Sequence, residues 1–236
     1  MLTLALDTST SVGSLAVQRD SEPIQSYFGD GSITHGQKLP GDVLKLLETI
    51  DATVAEVDRY VVAIGPGLFT GLRVGIATMQ GFAIATEKLV IPISTLDATA
   101  SAHRHGVKRG EQLLVLLDAH RSEIYANLYG TDGVQKIAAP VVGTPGDVFE
   151  TLSETLSKER LFVVGSAAHL ARGCLAEYCL GCRVNSPSDI PLAKVMLTML
   201  ADVRYTPVKP NNLSPLYIRK PDAVLVREAR MIRNQT

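Results

Sequence analysis

A strand, a glycine-rich turn and a helix follow one another without interruption in residues 60–88, YVVAIGPGLFTGLRVGIATMQGFAIATEK. The apolar, β-branched residues 60–64 predict a buried strand, which the glycine–proline–glycine turn at 65–67 ends. The helix then begins near Thr70 and carries no charged residue over positions 74–86. Such a helix cannot face water on all sides, so it lies inside a large domain or between the domain and a partner.

Small side chains occupy several sides of this helix, at Gly71, Gly75, Ala77, Gly81, Ala83 and Ala85. Each glycine costs about 1 kcal/mol relative to alanine inside a helix, so close packing against a sheet or another helix must offset that cost. The turn before the helix offers backbone N–H groups that could hold a phosphate. However, no lysine completes a Walker-type loop and the G-x-G-x-x-G spacing is absent from this turn.

Length and composition are those of an ordinary globular protein. The 236 residues suffice for one large domain or two lobes. A net charge of −1 excludes broad electrostatic capture of nucleic acid, so any contact with RNA would be local. Every long apolar stretch is interrupted by polar residues, and the chain starts with a strand rather than a basic leader. We therefore expect no membrane insertion and a cytoplasmic location.

The order of elements predicts two α/β lobes built on one plan. A first lobe, 1–105, starts with three strands, continues with a helix over 36–50 and the stretch described above, and ends with a strand and a helix. The basic, glycine-containing residues 103–110 mark the boundary. A second lobe, 106–219, repeats hairpin, helix, strand and glycine turn, and helices near 168–180 and 191–203 close it. Residues 220–236 form a basic tail.

The turn after the first strand has the pattern with which actin-like ATPases approach a nucleotide phosphate. The strand ends at an aspartate, and a hydroxyl-rich turn with a glycine follows. The residues that would hold a nucleotide are Asp7, Thr8 and Thr10, together with Gly165 in the second lobe. The alternative is that Asp7 and Thr8 satisfy backbone groups of their own turn, as in many hairpins.

Residues for metal binding or nucleophilic catalysis are poorly placed. His169, Cys174 and Cys179 are five residues apart, so on a helix they cannot converge on one metal ion. The sequence contains no H-E-x-x-H, H-x-x-x-H or G-x-S-x-G motif. We therefore predict no metal site and no catalytic residue. The remaining candidate for catalysis is a dense polar cluster after a strand, formed by Asp118, His120, Arg121 and Glu123.

Four runs of the sequence form a recognisable set: LALDTST at 4–10, GPGLFTGLRVG at 65–75, DAHRSEIY at 118–125 and PLYIR at 215–219. Together they resemble the TsaB (YeaZ) family of bacterial tRNA threonylcarbamoyladenosine biosynthesis proteins. Two residues depart from the family pattern, since Leu68 stands where serine is usual and His120 is inserted before Arg121. The resemblance implies an α/β, two-lobed actin-like (ASKHA, ribonuclease H-like) fold with duplicated mixed-sheet lobes.

The same resemblance implies a non-catalytic scaffold with no cofactor of its own. The catalytic relative TsaD carries a metal-binding histidine pair where this chain has Thr95 and Thr99, and threonine is a poor substitute for imidazole. Family members pair with TsaD, recruit the ATPase TsaE, and so contact tRNA indirectly when threonylcarbamoyl is moved to N6 of adenosine 37. ATP and metal are expected on those partners, and a homodimer is expected when the chain is alone.

The resemblance also places partner contacts on the two long helices of the first lobe. The expected contact residues are Leu39, Val43, Leu46, Leu72, Gly75, Ile76, Met79 and Ala83. Two other classes of function stay open. A small-molecule kinase or ATPase of the same fold would need the nucleotide residues named above, and a metallopeptidase would need the metal ligands that the sequence lacks.

Overall fold

A computed structural model describes residues 1–29, 38–157, 160–178, 181–185, 190–201 and 205–219. Within these residues the strands form two five-stranded mixed sheets, one for each predicted lobe. The predicted two-lobed α/β architecture is thereby confirmed. The predicted basic tail, 220–236, lies outside the described residues.

The first sheet has the strand order β3-β2-β1-β4-β5. Its strands are β1 (Leu2–Asp7), β2 (Ser14–Arg19), β3 (Gln25–Phe28), β4 (Arg59–Gly65) and β5 (Val90–Ser94). The β1–β2 and β2–β3 pairs are antiparallel, whereas β4 pairs in parallel with both β1 and β5. Its helices are α1 (Leu39–Glu48), α2 (Phe69–Ala85) and α3 (Thr95–His103).

The second sheet repeats this topology in the order β8-β7-β6-β9-β10. Its strands are β6 (Gln112–Asp118), β7 (Ile124–Tyr129), β8 (Val141–Gly143), β9 (Leu161–Val164) and β10 (Cys182–Asn185). The β6–β7 and β7–β8 pairs are antiparallel, whereas β9 pairs in parallel with both β6 and β10. The remaining helices are α4 (Pro145–Leu152), α5 (Arg172–Tyr178) and α6 (Leu192–Met199). The sequence did not predict β10, because four residues with little alternation give no strand signal.

The helix α6 was predicted to close the second lobe, and this prediction is wrong. Met196 and Leu197 of α6 pack against Ala5, Val61 and Ile93 of the first sheet. One face of that sheet carries mostly small side chains, and α6 with α3 covers it, while α1 and α2 cover the other face. The chain therefore returns from the second lobe to complete the first.

Residues 205–219 continue along the first lobe and then reach the second. The Val208 backbone forms a β-bridge with Val90, and the Gln80 side chain of α2 donates hydrogen bonds to the carbonyl oxygens of Pro210 (2.8 Å) and Leu213 (3.1 Å). The Leu216 N–H donates to the Ile64 carbonyl over 2.8 Å. This path brings the PLYIR run to the junction of the two lobes.

Candidate functional site: the interlobe cleft and the exposed face of α2

A cleft of about 600 Å³ lies between the lobes where three of the motif runs meet. One wall is formed by residues 66–69 and Leu72, from the turn before α2 and its first turns. The other wall comes from the β6–β7 turn, and residues 216–219 complete the cleft. Runs that are far apart in sequence thus line one space.

The β6–β7 turn has an unusual backbone. His120, Arg121 and Ser122 adopt φ angles of 59°, 57° and 62°, a left-handed conformation that costs non-glycine residues about 1–2 kcal/mol each. Hydrogen bonds hold it in place: the Ala119 N–H donates to the Glu123 carbonyl (3.1 Å), and the His120 N–H donates to an Asp118 carboxylate oxygen (2.7 Å). The turn therefore presents His120 and Arg121 at the cleft in a fixed arrangement.

The Arg219 side chain clamps this turn from the opposite end of the chain. Its guanidinium donates to the Ala119 carbonyl over 3.1 Å and forms an ion pair with Glu123. The Tyr125 hydroxyl lies beside this pair, and burial raises the pKa of Tyr125, with a smaller lowering effect of Arg219 and a raising effect of Glu123. Tyr125 is therefore a neutral hydrogen-bond donor near pH 7.

The polar cluster predicted as a catalytic candidate is largely occupied in holding the turn. Asp118 accepts from the His120 backbone, its carboxylate lies 3.6 Å from His120 Nδ1, and Glu123 pairs with Arg219. These contacts give both carboxylates a structural role. Arg121 lines the cleft with His120.

The residues predicted to hold a nucleotide are not brought together at an open site. Asp7 is buried, burial raises its pKa, and it accepts a hydrogen bond from the Ser9 N–H over 2.9 Å. Thr8 is also buried and donates to the Gly71 carbonyl over 2.8 Å. Thr10 is exposed and donates to the Val12 carbonyl. Gly165, with a φ of 106°, packs so closely on strand β6 that a Cβ would overlap the Leu116 carbonyl oxygen.

The glycines of the 65–75 run explain why this first-lobe turn is covered. A Cβ at Gly67 would overlap Ser9, and a Cβ at Gly71 or Gly75 would overlap Thr8. The first turns of α2 thus lie directly on the turn that carries Thr8 and Ser9.

The two threonines that the resemblance places at the positions of the histidine pair lie on α3. Thr95 and Thr99 are buried, and the Thr99 hydroxyl donates to the Thr95 carbonyl over 2.8 Å. The Thr95 hydroxyl has no hydrogen-bond partner among the residues that the structure describes. Across that same part of the chain, no three His, Cys, Asp or Glu side chains lie close enough together to hold a metal ion.

The structure corrects which residues of α1 and α2 can contact a partner. All eight expected contact residues are buried within the first lobe: Leu39, Val43, Leu46, Leu72, Gly75, Ile76, Met79 and Ala83. The sequence predicted that α2 needs cover on more than one face, but it did not distinguish the faces. Apart from Leu72, which lines the interlobe cleft, the larger apolar side chains belong to the core against the sheet, and Gly75 faces Thr8.

The opposite face of α2 is exposed, and we call it the α2 outer face. Its residues are Thr70, Arg73, Ala77, Gly81, Ile84 and Ala85. A Cβ at Gly81 would meet no atom within 4 Å, unlike one at Gly71 or Gly75. Ile84 is 56% exposed, and Leu44 of the neighbouring α1 is 46% exposed. The outer face is therefore smooth, nearly uncharged and apolar.

The fold and the cleft define a two-lobed protein of the actin-like class. A Bacteroides thetaiotaomicron protein with an actin-like ATPase fold superimposes with a TM-score of 0.51 at 12% identity, over 84% of this chain and 95% of that one. YeaZ from Pseudomonas aeruginosa superimposes with a TM-score of 0.69 at 23% identity, over 92% of this chain and 99% of that one. The family model TsaD, tRNA N6-adenosine threonylcarbamoyltransferase, matches residues 30–176. The chain belongs to this family.

Sequence relatives agree with this assignment. The uncharacterized protein ML0378 of Mycobacterium leprae is 32% identical over 226 residues, which are 94% of this chain and 56% of that protein. The tRNA threonylcarbamoyladenosine biosynthesis protein TsaB of Escherichia coli is 31% identical over 134 residues, 56% of either chain. The match thus spans a little over half the length of these two relatives. The predicted resemblance to TsaB and YeaZ is confirmed.

None of the helices in the described ranges combines the length and the apolar character that crossing a membrane requires. The cytoplasmic location stays a prediction.

Proposed function

We propose that this protein is a non-catalytic scaffold in the formation of N6-threonylcarbamoyladenosine at position 37 of tRNA. In this proposal it pairs with a TsaD transferase, and the pair recruits TsaE, so that contact with tRNA is indirect. The nucleotide and the metal belong to those partners. The observation that carries the proposal is the α2 outer face.

The exposed glycine and apolar side chains of the α2 outer face contribute no packing to the part of the chain that the structure describes. Glycine in an exposed helix costs about 1 kcal/mol relative to alanine, and none of the residues that the structure describes occupies the space beside Gly81. Ala77 and Ala85 lie one helical turn to either side, so the three residues form a shallow groove. Small residues in such a row let another helix approach closely. A partner helix seated here would account for both the glycine and the exposed Ile84.

A scaffold role, rather than catalysis, is supported by the interior of the two lobes. Thr95 and Thr99 stand where TsaD has its histidine pair, and Thr99 already donates its hydroxyl proton to the backbone. The turn at Asp7 and Thr8 is covered by α2. These features disfavour the alternative function, a small-molecule kinase or ATPase. Tight binding of ATP to the isolated chain would favour that alternative.

The test is sedimentation velocity of the chain alone and mixed with TsaD from the same organism. We expect a new species at the summed mass, and we expect Gly81→Glu to weaken pairing by about 10-fold or more, because it buries a charge in the interface. Gly173→Glu on α5 is the matched control, since Gly173 is also an exposed helical glycine with open space around it.

Both substitutions replace a poor helix former with a better one, so both monomers should fold. Circular dichroism and urea unfolding check this point. Unchanged pairing of the Gly81→Glu variant would remove the α2 outer face from the proposal. Failure of the unmodified chain to pair with TsaD, with or without TsaE and ATP, would contradict the scaffold function. The chain alone should sediment as a homodimer that Gly81→Glu also weakens.

A further inference from the structure

Strand β3 forms an open edge of the first sheet. It pairs with β2 on one side, and none of the described residues forms a strand on its other side. Every second residue of such an edge strand directs its N–H and C=O groups away from the sheet. The sequence of β3, QSYF, contains no charged residue and no proline, which are the residues that commonly protect an edge from pairing. The backbone of β3 is therefore available to another extended chain.

A groove of about 310 Å³ lies between this edge and α1. One wall is formed by residues 25–27 of β3, whose side chains are exposed. The other wall is a single stripe of α1, with the helical spacing i, i+3, i+4 and i+7: Asp42, Lys45, Leu46 and Thr49. The volume is near the lower end of the range of about 300–1,000 Å³ that is usual for ligand sites. It suits a short extended segment rather than a helix, which is about 10–12 Å wide.

One polar atom in the lining of this groove lacks a hydrogen bond. Oδ2 of Asp42 is shielded from solvent and has no partner among the residues that the structure describes. Asp42 lies in the first turn of α1, where the helix dipole favours its negative charge without supplying a hydrogen bond to that oxygen. A buried acceptor without a partner costs free energy, which a donor that reaches it recovers. The groove thus favours a ligand that brings an N–H donor to Asp42, and a cationic donor forms the stronger bond.

The charges of the lining distinguish between classes of ligand. The lining contains one acid, Asp42, and one base, Lys45, so it does not attract a polyanion such as RNA. Lys45 is exposed, whereas one oxygen of Asp42 is buried, so the carboxylate has the larger electrostatic effect on a bound segment. A peptide matches both walls, because its backbone carries N–H and C=O groups for β3 and its side chains can carry a cation for Asp42.

We propose that an extended segment of a partner protein binds in this groove as an additional strand on β3 and places a lysine or arginine against Asp42. Its backbone pairs with the outward N–H and C=O groups of β3, and its apolar side chains pack on Tyr27 and Leu46. The groove shares no residue with the α2 outer face. The proposal therefore goes beyond the scaffold role and does not rest on it.

Two pools of heptapeptides test this proposal. Six positions vary over valine, threonine, serine and glutamine, and the central residue is arginine in one pool and glutamate in the other. We expect the arginine pool to bind the full chain about 10-fold more tightly, because only arginine attracts the Asp42 carboxylate. Shifts of backbone amide signals in NMR spectra measure the affinity, and they should centre on residues 25–28 and 42–49. Equal affinity for the two pools, shifts centred elsewhere, or no shift at millimolar arginine pool would overturn the proposal.

Variants and a modified probe then separate the two kinds of contact. Asp42→Asn keeps the shape of the side chain and should abolish the preference for arginine, whereas Glu48→Gln, at an exposed acid of α1 outside the lining, should keep it. The arginine pool with its backbone amides N-methylated should bind at least about 5-fold more weakly, because it cannot donate to β3. Unchanged affinity of the methylated pool would refute strand addition.

Urea unfolding shows whether each variant is folded before affinities are compared. If Asp42→Asn is unfolded, Thr49→Trp decides, because this exposed position lets a bulky ring fill the groove and abolish binding. Peptide binding is measured without TsaD, so its failure and the failure of the scaffold function give different results, and Gly81→Glu should leave it unchanged. A homodimer that persists in Gly81→Glu and dissociates when the arginine pool is added would identify a second copy as the occupant and overturn the choice of a partner protein.

Discussion

Single glycines decide how close α2 lies to the first-lobe turn. Gly67, in the turn before α2, and Gly71 and Gly75, on one side of α2, repeat every fourth residue. Backbone and side-chain atoms of Thr8 and Ser9 fill the space that a Cβ at these positions would need. Gly81 belongs to the opposite side and has no such neighbour. One residue type in one helix thus has two roles, internal contact and, in our proposal, contact with a partner.

This difference predicts opposite effects of the same substitution. Gly71→Ala should lower the free energy of unfolding by about 2 kcal/mol, because the overlap with the Thr8 carbonyl oxygen outweighs the gain in helix propensity. Gly81→Ala should raise it by about 0.5–1 kcal/mol, because only the propensity changes. Urea unfolding of the isolated chain measures both. A stabilised Gly71→Ala variant would contradict the close contact.

The elements of the fold were mostly predictable because their signals are local. Alternation and apolar runs located β1, β4, β5 and β6, and helical spacing located α1 and α2 within a few residues. The face of α2 was not predictable in the same way. Met79 and Gly75 look equally suited to a partner when the helix is uncharged all round, and only the three-dimensional position of Thr8 and of the sheet distinguishes them.

The cleft was predictable only in part, for a similar reason. The motif runs at 65–75, 118–125 and 215–219 were recognised separately, and the unusual density of polar groups after β6 was apparent from the sequence. Their meeting in one cleft depends on residues 205–219 returning along the first lobe, which no local pattern indicates. The left-handed backbone at 120–122 carries no glycine signal, so sequence reasoning could not have found it.

An ion pair holds the edge strand β10 against the rest of the second lobe, and its contribution to stability should depend on pH. Arg183 donates to Glu111 through two hydrogen bonds of 2.8 and 2.6 Å, and to the Gly106 carbonyl over 2.8 Å. Its guanidinium also lies 4.2 Å from the centre of the Phe162 ring. The hydrogen bonds from Arg183 lower the pKa of Glu111 from 4.5 to about 2.

Because the pKa of Glu111 is lower in the folded state, the pair stabilises the fold fully above about pH 4.5 and loses this effect as the pH falls through about 2. Glu111→Gln should therefore cost about 1 kcal/mol at pH 7 and much less at pH 2.5. Urea unfolding at both pH values, on wild type and variant, measures this difference. A cost that stays constant with pH would show that the carboxylate charge contributes nothing.

At the scale of the molecule, the first lobe is not a contiguous piece of the chain. Its sheet is made by residues before 95, yet one of its faces is covered by α6, and its α2 is tied to residues 205–219 through Gln80. The order of elements suggested that each lobe finishes before the next begins. Covering both faces of a sheet is a requirement of the whole fold, and the helix that meets it can come from anywhere in the sequence.

This arrangement predicts that residues 1–110 do not fold alone. Without α6, the apolar side chains of Val61, Ile91 and Ile93 on the uncovered face would contact water, and α3 by itself is too short to protect them. We expect the fragment to show no cooperative urea transition by circular dichroism.

The matched control joins residues 187–219 to the fragment through a flexible linker, and this chimera should recover a cooperative transition. Met196→Asp in the chimera should remove it again, because the charge would lie in the interface between α6 and the sheet. A cooperative transition in the fragment alone would mean that α3 suffices, and that α6 only adds to a lobe that is already complete.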